Sequence, residues 1–206
     1  MRLNRLPRLV CTRFSCSPSP PSRTMSSNRE VPMAPRKEDE DVWKYPRPPL
    51  LQRTPNLLRV VWTDLEGNQT VIAETDKAFR VLETSHPPTY YLPPSSLKLP
   101  VQALSRSTFC EWKGQASYYA IRPPGAKKPI ENRIWYYKQP NPSFVPLKDH
   151  VSFYASTGVD EEEVGGRWDC FVDDEKVVPQ AGDFYGGWLT SNIKGKTKGG
   201  PGTWVW

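Results

Sequence analysis

Proline and glycine interrupt this chain so often that few stretches are long enough for a helix. With 23 prolines and 13 glycines in 206 residues, the apolar residues between the breaks recur at a spacing of two. Leu58, Val60 and Trp62 alternate with Leu57, Arg59, Val61 and Thr63, the period of a half-buried strand. Asp64 to Asn68 turns through Gly67 and Gln69 to Glu74 returns, so the pair reads as a hairpin. Further strands are expected at 115–122, 132–139, 151–154, 168–172 and 176–178, the last two joined through Asp173-Asp174-Glu175. One helix is expected over Asp76 to Glu83, with Thr75 as its N-cap and Ala78, Val81 and Leu82 on one face. Pro87 and Pro88 end it. The fold class that follows is all-β, a single compact domain with one or two short helices.

Residues 1–56 read as an unstructured leader and linker, 57–180 as the folded domain, and 181–206 as a tail. The tail is glycine-rich but carries Phe184, Tyr185, Trp188, Trp204 and Trp206. Disordered segments are poor in aromatics, so it is expected to wrap the domain. Residues 1–29 hold six arginines and no acid, the composition of a mitochondrial transit peptide. Pro7 breaks the amphipathic helix such peptides form, and Met25 offers a second start, so a plain cytoplasmic tail stands beside that reading.

The formal charge of +6 comes entirely from that leader, because the remaining 22 basic residues match the 22 acidic ones. Nucleic-acid capture needs a concentrated basic surface, so it is set aside. No apolar run is long enough for a membrane span. Cys110 and Cys170 are the only cysteines of the domain, which makes no zinc site and leaves a single bridge between them open.

The residue types able to form a site gather around one cysteine and one lysine. Phe109-Cys110-Glu111-Trp112-Lys113-Gly114 leads into a strand bearing Tyr118 and Tyr119, and Trp135-Tyr136-Tyr137 repeats aromatics on both faces of the next. Such strands fill a core with one face and line a groove with the other. Cys110 is a candidate nucleophile if Lys113 or a histidine activates it, against the bland reading of a packed thiol. Glu83 and His86 form a candidate acid–base pair, against a histidine favoured by a helix C-terminus. Lys113-Gly114 at a strand entrance can present an ammonium to an anion, against an ordinary solvated turn lysine. Gly195-Lys196-Thr197 lacks the first glycine of a phosphate loop, since Thr190 stands there. Asp173-Asp174-Glu175 is a turn that as a carboxylate cluster would hold a metal only weakly.

Four ordered motifs carry a resemblance. His86-Pro87-Pro88-Thr89-Tyr90-Tyr91-Leu92-Pro93 is followed by Cys110-Glu111-Trp112-Lys113-Gly114-Gln115-Ala116-Ser117-Tyr118-Tyr119. Trp135-Tyr136-Tyr137 and the run from Pro146 to Tyr154 come after them. Over about residues 57–180 this order resembles domain-of-unknown-function family 427, and the tail from Gly182 to Trp188 is similar to an extension of its eukaryotic members. The resemblance implies a β-tent-like fold shared with zinc-bearing and ligand-binding modules. The paired cysteine knuckles of the zinc-bearing relatives are missing, so no metal and no cofactor are expected. A nucleotidyltransferase label attached to the family needs Gly-Ser ahead of an acidic pair for two metals. The only Asp-x-Asp, Asp39-Glu40-Asp41, sits in the linker without it.

The leading expectation is therefore a ligand-binding module for a small, partly anionic molecule. Tyr90, Tyr91, Trp112, Tyr118 and Trp135 would give stacking surface, and Lys113 and His86 polar contacts. A hydrolase or transferase using Cys110, or Glu83 with His86, and a protein-interaction module are the alternatives.

Overall fold

The computed structural model describes residues 30–35, 38–182 and 184–203. The expected leader over 1–29 lies outside them, as do Trp204 and Trp206. Strands dominate, beginning with β1 (Glu40–Asp41), β2 (Leu50–Thr54), β3 (Leu58–Asp64), β4 (Gln69–Thr75) and β5 (Ala78–Glu83). Next come β6 (His86–Tyr91), β7 (Val101–Cys110), β8 (Gly114–Ile121), β9 (Ile130–Tyr136) and β10 (Val151–Phe153). The last are β11 (Gly166–Val172), β12 (Glu175–Lys176), β13 (Val178–Pro179), β14 (Trp188–Leu189) and β15 (Ile193–Lys194). Among the described residues helix is confined to short 3-10 turns and one α-helical turn, Glu161–Val164, capped by the Asp160 carboxylate and closed by Gly165. The fold is all-β, and among the described residues no helix is long and apolar enough to cross a membrane.

Among the described residues three sheets of three or four strands organise the fold, beside two two-stranded pairs, β1-β15 and β13-β14. One has the order β2-β5-β6, a second β12-β11-β3-β4 and a third β10-β9-β8-β7. Trp62 of β3 faces Trp168 of β11 across the second sheet, and both rings are fully buried. Burying an indole N–H requires an acceptor. Trp62 Nε1 donates to the Pro124 carbonyl at 2.9 Å and Trp168 Nε1 to the Tyr154 carbonyl at 3.0 Å.

The third sheet has two apolar faces, as the doubled aromatics suggest. Ile134 and Tyr136 of β9 enter the main core with Trp62, Phe153 and Trp168. Trp135 and Tyr137 turn the other way, into a second cluster with Leu51, Val81, Tyr91 and Phe144. Paired backbone hydrogen bonds between Leu92 and Val151, 2.7 and 2.8 Å, tie β6 to β10 and bring the first sheet alongside the third.

Two expectations fail together. Residues 76–83 are no helix: Ala78–Glu83 is the central strand of the first sheet, paired with β2 from Leu50↔Leu82 to Thr54↔Ala78. Thr75 does not cap a helix either; its hydroxyl accepts from Lys77 N at 3.0 Å and tightens the turn between β4 and β5. The linker to residue 56 was expected to lack structure, yet it supplies β2. Neither strand is legible alone, since β2 has only five residues between prolines and β5 is defined by the neighbours on its two sides. Pro87 and Pro88 sit inside β6, which the sheet order leaves as an edge where a missing N–H is tolerated.

Candidate functional site

An open cleft of about 420 Å³ lies where the first and third sheets meet. Its walls are Glu83 of β5, His86 and Tyr91 of β6, Cys110 of β7 and Tyr118 of β8, with Trp135 of β9. Trp112 and Lys113 enter from the β7–β8 turn. Of the residues singled out in the sequence, only Tyr90 is elsewhere. Successive residues of a strand point to opposite faces, so Tyr90 packs in the main core against the Trp188 ring, 5.2 Å between centroids. It is withdrawn from the site.

Lys113 was expected to be more simply a solvated turn lysine, and this is corrected: it is only 7% exposed. The β7–β8 hairpin closes on Cys110↔Gly114, with Gly114 at a φ of 95° that disfavours a side chain. Asn141 locks the turn by donating its backbone N–H to the Lys113 carbonyl at 3.0 Å and its Nδ2 to the Trp112 carbonyl at 2.9 Å. The lysine stem is thereby held inward, with its ammonium 5.9 Å from the Phe144 ring centroid. Among the described residues no carboxylate lies within ion-pair reach of it. Burial alone would draw its pKa down, but the Tyr91 and Cys110 groups and the Glu83 carboxylate outweigh this and hold it above the ordinary lysine value. The ammonium is therefore charged at neutral pH.

Glu83 is engaged by a different cation. Lys198, from the tail, places Nζ 2.7 Å from Glu83 Oε1, and the Lys198 backbone N–H donates to the Ser85 carbonyl at 2.9 Å. Burial pushes the Glu83 pKa up, but Lys198 and the neighbouring His86 and Lys113 bring it below the usual glutamate value. An acid–base partnership of Glu83 with His86 is thus replaced by an ion pair. His86 is a strand residue, so the helix-end reading of it also falls.

His86 is buried, and its Nδ1 lies 2.6 Å from the Pro87 carbonyl oxygen. A carbonyl can only accept, so Nδ1 carries the proton and the neutral ring presents Nε2 as an acceptor. Burial drives the His86 pKa down to about 4, whereas an unfolded histidine titrates near about 6.5. As pH falls between those values the unfolded chain takes up the proton first, so stability declines with falling pH. His86→Gln removes that contribution, while His150, also lowered by burial, remains. The variant's stability, measured by urea denaturation from about pH 7 to about pH 4, should fall less steeply than the wild type's. Equal slopes would contradict the buried neutral imidazole.

The rings of the cleft meet mostly at edges, Tyr91 and Trp135 at 6.4 Å and 87°. The Tyr91 hydroxyl is buried without a hydrogen-bond partner. Cys110 is half-buried and free, and so is the fully buried Cys170, so no bridge joins them. Asp173 accepts from Leu57 N and Asn56 Nδ2, and Asp174 pairs with Arg59. These carboxylates are thus engaged in holding the turn, and among the described residues no group of His, Cys, Asp and Glu converges to hold a metal.

Sequence reasoning missed Tyr137, Arg106, Tyr185, Gly186 and Lys198, all of which line the cleft. Tyr137 was legible, since it alternates with Trp135. The tail residues carry no local signal of where they dock. Gly186 passes so close to Trp135 that an added Cβ would stand 2.1 Å from the indole, which is why that position admits no side chain.

A family model described as "Domain of unknown function (DUF427)" matches residues 50–165, more than half of the chain. Its start coincides with β2, inside the segment expected to be linker. No curated protein matches the chain.

Proposed function

We propose that this chain, which belongs to the DUF427 family, is a ligand-binding module whose cleft takes a small, partly anionic molecule. The observation that carries the reading is Lys113. Its ammonium is charged, nine-tenths buried and, among the described residues, outside ion-pair reach of any carboxylate, so an anionic group entering the cleft would find a cation free to pair with it. Tyr118 and Trp135 offer ring faces and edges for an apolar body, and the cleft volume falls within the usual range for ligand sites.

Anilinonaphthalene sulfonate, an aromatic ring system with one anionic group, serves as the probe. The native full chain carrying Cys11→Ser and Cys16→Ser should bind it at one saturable site, read by dye emission. Alkylation with a bulky maleimide should then abolish binding, because Cys110 lines the cleft. Cys170, fully buried and with its thiol pKa pushed up by burial, should stay unlabelled. No saturable site, or binding that survives full labelling of Cys110, would overturn the reading.

A further inference from the structure

Charge, hydrogen-bond polarity and shape of the cleft narrow its ligand further, on the premise that the ligand-binding reading holds. Among the described residues three cations and two carboxylates, Glu83 and Glu111, line it. Lys198 is held by Glu83 at 2.7 Å, and Arg106 lies on exposed strand β7, over the Tyr118 ring at 5.3 Å. Lys113 alone is buried without a carboxylate. Glu83 is an anion lining the same cleft. Arg106 and Glu111 are exposed at the rim, where solvent screens them. In the buried part Lys198 and Glu83 offset each other, and Lys113 remains as one positive charge that matches a single negative one. A second negative charge would face Glu83 with no buried cation of its own.

Phosphate sites are built from successive backbone N–H groups in glycine-rich turns or from Arg forks. Among the described residues the only glycine lining this cleft is Gly186, which is packed against Trp135, and the only arginine is Arg106, on the exposed strand. The His86 ring adds a second requirement. Its Nδ1–H is fixed on the Pro87 carbonyl at 2.6 Å and among the described residues none donates to Nε2, so a ligand that covers it must bring a donor or leave it unmet.

We infer that the cleft selects an aromatic monoanion, a planar ring bearing one carboxylate-like group for Lys113 and one O–H or N–H donor for His86. Four probes decide it, titrated calorimetrically into the full chain near neutral pH: para-hydroxyphenylacetate, its neutral amide, para-methylphenylacetate without the donor, and para-hydroxyphenyl phosphate, which carries a second charge on a tetrahedral head. The expected result is that para-hydroxyphenylacetate binds tightest, each of the others about tenfold or more weaker. An amide or phosphate that binds as tightly overturns the single-charge inference, and an equal methyl analogue overturns the donor. If none of the four binds while anilinonaphthalene sulfonate still occupies a Cys110-blockable site, the inference fails and the ligand-binding reading stands. If that dye fails as well, both fall.

Discussion

Trp188→Ala is expected to destabilise the protein by roughly 3–5 kcal/mol, the cost of removing a buried aromatic side chain. Trp188 lies in the tail, yet it is fully buried and belongs to the main core. Its Nε1 donates to the Phe153 carbonyl at 2.8 Å, and its ring packs on Tyr90 at 5.2 Å. Alanine would leave both a cavity and an acceptor on β10 without its donor. Such a loss is a large share of the stability of an ordinary domain. Urea denaturation of the full chain measures it as a lowered midpoint. Trp188→Phe, which keeps most of the volume and loses the N–H, should lie between. A loss below about 1 kcal/mol for the alanine variant would mean that the tail merely rests on the domain.

The second large effect is on binding. Lys113→Met keeps the length of the side chain and removes its charge. With no salt bridge among the described residues to break, the fold should change in stability by no more than about 1.5 kcal/mol, because a side chain of similar volume keeps the packing. Affinity for an anionic probe should drop by about 2–5 kcal/mol, at least about thirtyfold, as its charge is left buried and unmatched. Calorimetry with anilinonaphthalene sulfonate gives the affinity and a thermal melt the stability. Unchanged affinity with a large fall in melting temperature would assign Lys113 to the core and remove the basis of the proposed function.

Much of the fold was legible because alternation survives wherever a strand has one face in the core. Strands β8 and β11 follow that rule, and β9 was legible instead from the aromatics on both of its faces. The rule fails for β5, whose burial on both sides removes the alternation, and for β7, whose exposed residues from Val101 to Cys110 show no apolar period. The site was partly legible for the same reason. Tyr91 and Trp135 could be recognised as groove residues because their strand neighbours fill the opposite face, whereas the burial of Lys113 depends on Asn141, some 28 positions away in sequence. Tyr90 illustrates the limit, since adjacent tyrosines look alike until the register decides which one enters the core.

The matched family span stops at residue 165, whereas Tyr185, Gly186 and Lys198 lie beyond it and still line the cleft. The floor and the roof of the cleft are thus encoded in separate stretches of chain. Because β11 and Trp188 also lie beyond the matched span and complete the core, a chimera would have to keep them and exchange only cleft-lining positions such as Tyr185. The tail thus does two jobs at once, closing the core and shaping the cleft, and only the second is open to exchange.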